Sequence, residues 1–150
     1  MIYLDNNATT KLHPEVLEAM MPFLTEAYAN PSSGYQPSRR VKKAIDTARE
    51  QVAALLGADT EEIIFTSGGT EADNTAIASS IACLPERKHV VGSTVEHPAV
   101  LQFFEMLEHE HGYKTTLVPV DGEGLLDLDQ LDAAVKPNET ALVSLMWANN

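Results

Sequence analysis

Three short polar stretches carry residue types that can do chemistry. Ser67-Gly68-Gly69-Thr70-Glu71 sits between a β-type run and a helical pattern, where free backbone N–H groups and the helix dipole favour an anion. Two glycines let the backbone approach a ligand closely and the Thr70 hydroxyl adds a donor, so the stretch reads as a phosphate cradle. It matches neither G-x-G-x-x-G nor a Walker loop, and a tight turn that binds nothing is the alternative. Glu96-His97-Pro98 follows a second β-type run. A histidine there can act as acid or base, or lay its ring on a planar ligand; the bland reading is an imidazole satisfied at a helix start. Trp147-Ala148-Asn149-Asn150 follows a third. Asparagine suits fixing a ligand's polar edge, although paired asparagines are also common in turns. Together a phosphate cradle, a ring-facing histidine and an amide suit a flat phosphorylated cofactor.

The elements that must position these groups alternate. Pro14 can open a helix on which Val16, Leu17, Met20, Phe23 and Leu24 recur at helical spacing, with Pro22 expected to kink or end it. The loop Pro31–Gly34 separates this short unit, residues 1–30, from the rest, 31–150. Val41, Ala44, Ile45, Ala48, Val52, Leu55 and Leu56 share a second helical face that Gly57 should stop. Strands are expected at Ile63–Thr66, His89–Thr94, Thr115–Val120 and Thr140–Trp147. Between them fall helices from about Glu71 (Ala76, Ile77, Ile81, Leu84 on one side), from Pro98 (Val100, Phe103, Phe104, Leu107 inward) and from an Asp127 cap (Leu128, Leu131, Val135). Alternating strands and helices predict an α/β fold with a parallel sheet. The strands are apolar runs, as expected where helices cover both faces. All three polar stretches then fall at carboxyl ends of strands, where such sheets collect ligands.

Composition narrows the partners. The 150 residues carry 22 acidic and 10 basic side chains, a formal charge of -12, which opposes nucleic-acid phosphates and anionic membranes. No apolar stretch approaches the roughly 20 residues of a membrane span, and no secretory leader is visible, so a reducing cytoplasm is the expected compartment. The single cysteine, Cys83, makes no internal disulfide and is expected to be a quiet or buried thiol. Glu108-His109-Glu110-His111 looks like a metal cluster, but its place near a helix end suits a solvated face. No metal site is expected.

At these residues the sequence resembles a known family. Tyr3-Leu4-Asp5-Asn6-Asn7-Ala8-Thr9-Thr10, Asn30-Pro31-Ser32-Ser33, Phe65-Thr66-Ser67-Gly68-Gly69-Thr70-Glu71, Glu96-His97-Pro98-Ala99-Val100 and Trp147-Ala148-Asn149-Asn150 occur in the order seen in NifS-like cysteine desulfurases. These are pyridoxal 5'-phosphate enzymes of the class V aminotransferase superfamily, with fold type I. The resemblance implies that Gly69 and Thr70 bind the cofactor phosphate, that His97 stacks on the pyridine ring and assists proton transfer, and that Asn150 contacts the cofactor near its phenolic oxygen. It implies that Asn6 to Thr10 lie close to the active site and a homodimer contact. It further implies L-cysteine as substrate, an enzyme persulfide and L-alanine as products, and a sulfur-acceptor or scaffold protein serving iron–sulfur cluster assembly. A related class V enzyme, such as a selenocysteine lyase, and a non-catalytic α/β fragment that binds the cofactor are the alternatives.

Two positions depart from the family pattern: Tyr35 and Ser38 stand where a histidine and a glycine are usual. The family's cofactor-linking lysine, persulfide cysteine and carboxylate-binding arginine follow the last motif at a distance, and Cys83 does not match that cysteine. The 150 residues are therefore expected to be an amino-terminal portion, inactive and poorly folded by themselves.

Overall fold

The computed structural model describes residues 2–149. The chain divides into two compact units, residues 1–65 and 66–150.

The first unit is helical. α1 spans Pro14–Thr25 and α2 spans Gln36–Leu56. Pro14 occupies the first turn of α1, where its missing N–H costs nothing. Pro22 lies inside α1 and does not end it; the helix runs on one more turn, and the Pro22 carbonyl accepts the Glu26 and Ala27 N–H groups. α2 stops where expected: Gly57 takes the left-handed φ of 68° that glycine adopts without a Cβ penalty. The apolar stripe of α1 does not become core. Val16, Leu17, Met20 and Leu24 remain exposed, and Val16, Met20 and Leu24 line an open cavity of about 580 Å³ with Val41, Ala44, Ile45, Ala48 and Phe65.

The expected strand Ile63–Thr66 is absent. The segment is extended, but it pairs with no strand among the described residues, and Ile64 is 73% exposed. Its anchor is a side chain instead: Arg49 donates to the Ile63 carbonyl and lies over the Phe65 ring, 4.9 Å from its centroid. A β-type apolar run becomes a strand only where a partner offers ladder bonds, and none does here.

The second unit holds the sheet. Its elements are α3 (Gly69–Ala82), β1 (His89–Ser93), α4 (Pro98–His111), β2 (Lys114–Val118), α5 (Leu128–Ala134) and β3 (Thr140–Val143). Three strands, not four, form a parallel sheet in the order β2-β1-β3. β1 lies at the centre and is buried at all five positions, as a strand covered on both faces should be. β2 and β3 are half-exposed edges. β3 ends at Val143 rather than Trp147; one further ladder bond, Ser144 N–H to the Val91 carbonyl, extends it. The crossovers β1-α4-β2 and β2-α5-β3 run in opposite directions across the sheet, so right-handed connections place α4 and α5 on opposite faces.

The core forms where α3 and α4 meet β1: Ile77, Ile81, Val90, Val100, Phe104, Leu107 and Tyr113 are all at least nine-tenths buried. Gly92 makes the close approach possible, since a Cβ there would stand 2.9 Å from Phe104 Cε2. Asp127 caps α5 by accepting from the Asp129 and Gln130 N–H groups. Cys83 is the C-cap of α3 and is exposed, not buried. Glu108–His111 occupy the exposed last turn of α4, and among the described residues no three metal-ligating side chains converge. No helix there is long and apolar enough to cross a membrane.

Candidate functional site

The site is built at the carboxyl end of the sheet. α3 precedes β1 and packs back against β3, so Asp73 and Ile77 share a small cavity with Val143 and Ser144. The amino terminus of α3 therefore lies at the same end as the exits of β1 and β3. Its carboxyl terminus, with Cys83, lies about 20 Å away at 1.5 Å per residue.

At that terminus the first helical bond runs from the Ala72 N–H to the Gly68 carbonyl. The N–H groups of Gly69, Thr70 and Glu71 thus find no backbone partner among the described residues. Glu71 reaches back one turn, accepting from the Ser67 N–H at 2.7 Å and from its hydroxyl; these bonds hold the Glu71 carboxyl below the usual carboxylate range. The glycines are informative. Gly68 has a φ of 167°, extended backbone open to any residue, and a Cβ on Gly68 or Gly69 would meet no protein atom within 4 Å. Neither backbone conformation nor internal packing calls for glycine at either place. Three N–H groups without backbone partners at a helix start suit an anion.

His97 is the N-cap of α4. Its Nδ1 accepts the Ala99 N–H at 3.1 Å, so the neutral ring carries its proton on Nε2. The ring is exposed yet fixed in orientation by that bond. The expectation of an imidazole satisfied at a helix start is met at Nδ1, which leaves Nε2 without a partner among the described residues.

Two long-range bonds join the exits of β1 and β3. Glu96 is 5% exposed, and its Oε1 accepts from the Ser93 hydroxyl at 2.6 Å and from the Met146 N–H at 2.8 Å. Asn149 Nδ2 donates to the Val95 carbonyl at 2.9 Å. Val95, Met146, Trp147 and Asn149, with Glu123 and Gly124, line an open cavity of about 350 Å³. Asn150 lies outside the described residues.

The structure thus brings Gly69, Thr70 and His97 to one end of the sheet. The segment Asn6–Thr10 belongs to the first unit, where Thr10 donates to Asn6 Oδ1 at 2.6 Å and the Ala8 and Thr9 N–H groups close a turn on the Asp5 carbonyl. Sequence reasoning passed over Glu96 and Asn149 as structural ties. Glu96 carried a signal, a carboxylate placed directly before a capping histidine, but its burial depends on the distant Met146.

A parallel sheet with an amide cradle and a fixed imidazole at its carboxyl end is an arrangement suited to a planar, phosphorylated ligand. Residues 2–150 match the aminotransferase class-V family, and the chain belongs to it. It is 56% identical over 150 residues to the cysteine desulfurase of Trichormus azollae, covering all of this chain and 37% of that protein. It is 49% identical to the cysteine desulfurase NifS of Azotobacter vinelandii, covering 99% of this chain and 37% of that one. Among solved structures, a NifS-like protein superposes with a TM-score of 0.90 at 37% identity, over 99% of this chain and 40% of its own. SspA in complex with cysteine does so at 0.84 and 35%, over 95% and 41%. The chain spans a little over a third of the length of these relatives.

Proposed function

We propose that the protein carrying this chain is a pyridoxal 5'-phosphate-dependent cysteine desulfurase that takes sulfur from L-cysteine and leaves L-alanine. What carries this reading is identity of 49 to 56% to curated cysteine desulfurases across essentially every residue of the chain, joined to the N–H groups of Gly69, Thr70 and Glu71 that α3 leaves without backbone partners.

The residues present fit the cofactor. The Gly69 and Thr70 N–H groups and the Thr70 hydroxyl would hold its phosphate, and no protein atom stands within 4 Å of where a Cβ on Gly68 or Gly69 would lie. The His97 ring, oriented by the Ala99 N–H, would stack on its pyridine ring, with Nε2 the atom to move a proton. Asn150 serves the phenolic oxygen. When bound, the cofactor supplies the electron sink that C–S cleavage needs; the protein supplies orientation and electrostatics. The sulfur is accepted as a persulfide by a cysteine other than Cys83, whose thiol closes α3 at the far end of the sheet. In this reading the enzyme works as a cytoplasmic homodimer and passes sulfur to an acceptor or scaffold protein for iron–sulfur cluster assembly. The first 30 residues form an amino-terminal segment, and residues 31–150 are part of the cofactor-binding domain.

The test is turnover of the full-length protein loaded with pyridoxal phosphate. L-cysteine and a thiol reductant should yield alanine and sulfide in equal amounts. Cofactor binding without alanine formation from L-cysteine would overturn the reaction.

A further inference from the structure

Glu96 is a buried carboxylate with no cation at ion-pair distance among the described residues. Burying a charge without a partner is costly, and two features offset that cost. The side chain stands just ahead of the amino terminus of the 14-residue helix α4, whose dipole favours a negative charge. Its Oε1 also receives two hydrogen bonds, from Ser93 at 2.6 Å and from Met146 at 2.8 Å. These donors belong to different strand exits: Ser93 ends β1, and Met146 lies three residues past β3. Among the described residues the last ladder bond between these two strands is Ser144 N–H to the Val91 carbonyl. Beyond it, the hydrogen bonds that join the two exits among the described residues are those of Glu96 and the Asn149–Val95 bond.

We infer that Glu96 is a positioning residue: by tying the exit of β3 to the exit of β1, it sets His97 and the segment leading to Asn150 at a fixed separation across one crevice. It touches no reacting atom. The effect on a cofactor rests on the function proposed above; the tie itself does not.

The experiment uses the full-length protein, first without and then with pyridoxal phosphate. Glu96→Ala should raise hydrogen exchange at the Met146 amide in the apoprotein and weaken cofactor binding about tenfold, the scale of losing a group that orients a ligating one. Glu96→Gln keeps an acceptor oxygen in place and should restore both. Leu107→Ala truncates the buried core of α4 away from the crevice; it should lower the melting temperature and leave cofactor affinity alone. If Glu96→Ala does not fold, Ser93→Ala removes one of the two donors and should move both readouts the same way. Wild-type exchange and affinity in Glu96→Ala or Ser93→Ala would overturn the inference, as would an equal loss of affinity in Leu107→Ala. A wild-type protein that binds no pyridoxal phosphate would remove the proposed function, and exchange at Met146 would still decide whether Glu96 makes the tie.

Discussion

Phe104 fills the space that a side chain on Gly92 would need: the nearest atom to a Cβ there is Phe104 Cε2, at 2.9 Å. Phe104 is 1% exposed, and the ring is hemmed in by β1 and its own helix. Gly92→Ala should therefore destabilise the second unit by about 1 to 3 kcal/mol, the usual cost of overpacking. Phe104→Ala opens the opposite defect and should cost about 3 to 5 kcal/mol. Denaturant midpoints with unchanged slopes measure both. A Gly92→Ala protein as stable as wild type would show that α4 is free to move off the strand.

His89 makes the sheet sensitive to acid. It is buried at the amino end of β1, where Nδ1 meets the Thr140 hydroxyl and Nε2 the Thr116 hydroxyl, both at 2.8 Å, so one ring links all three strands. Burial holds its pKa below the ordinary value; Lys136 and Lys114 lower it further and Glu139 opposes them. The unfolded chain then takes up a proton at a higher pH than the folded one. Stability is complete above the unfolded value of about 6.5, falls as the pH drops below it, and levels off under the folded value. Asp127 and Glu71, both held low by hydrogen bonds, add their loss only below about 4. In His89→Gln the decline between pH 7 and 5 should flatten; a slope equal to wild type would assign it to another group.

Gly69 separates binding from folding. Alanine there adds a methyl group to open space at the start of a helix, where it should be neutral or stabilising by up to about 1 kcal/mol. The same methyl intrudes on the proposed phosphate. Gly69→Ala in the full-length protein should thus melt no lower than wild type while binding pyridoxal phosphate more weakly. Unchanged affinity would count against the cradle.

His97 allows a similar division. Asparagine is a good N-cap and can accept the Ala99 N–H as His97 Nδ1 does, but it has no ring. In the full-length protein His97→Asn should keep the stability of α4 and lose most of the proposed desulfuration, whereas His97→Ala should lose the cap as well, about 1 kcal/mol. Thermal melts and alanine yields of the two variants give the comparison. Full activity in His97→Asn would end the stacking role.

Local chemistry made much of the fold legible. Pro98 opens α4, Asp127 caps α5 and Gly57 ends α2, because caps and breakers act within a turn of where they stand. What depends on distant partners was hidden. Ile63–Thr66 has the composition of a strand but no neighbour to pair with, and α1 has an apolar stripe that nothing among the described residues covers. The same division holds at the site. Gly69, Thr70 and His97 announce themselves through loop and cap positions. Glu96 becomes meaningful only when a residue fifty positions later is found donating to it, and no spacing rule predicts that contact.

The chain's single tryptophan stands fully exposed on the wall of the crevice beyond β3, 101% accessible and beside Met146 and Asn149. An indole in water emits at long wavelength, and anything settling near it changes both colour and yield. This chain therefore carries its own optical gauge at the mouth of the sheet. A ligand that absorbs in the near ultraviolet and binds there should dim Trp147, so its occupancy can be followed by the emission of that residue, with no label.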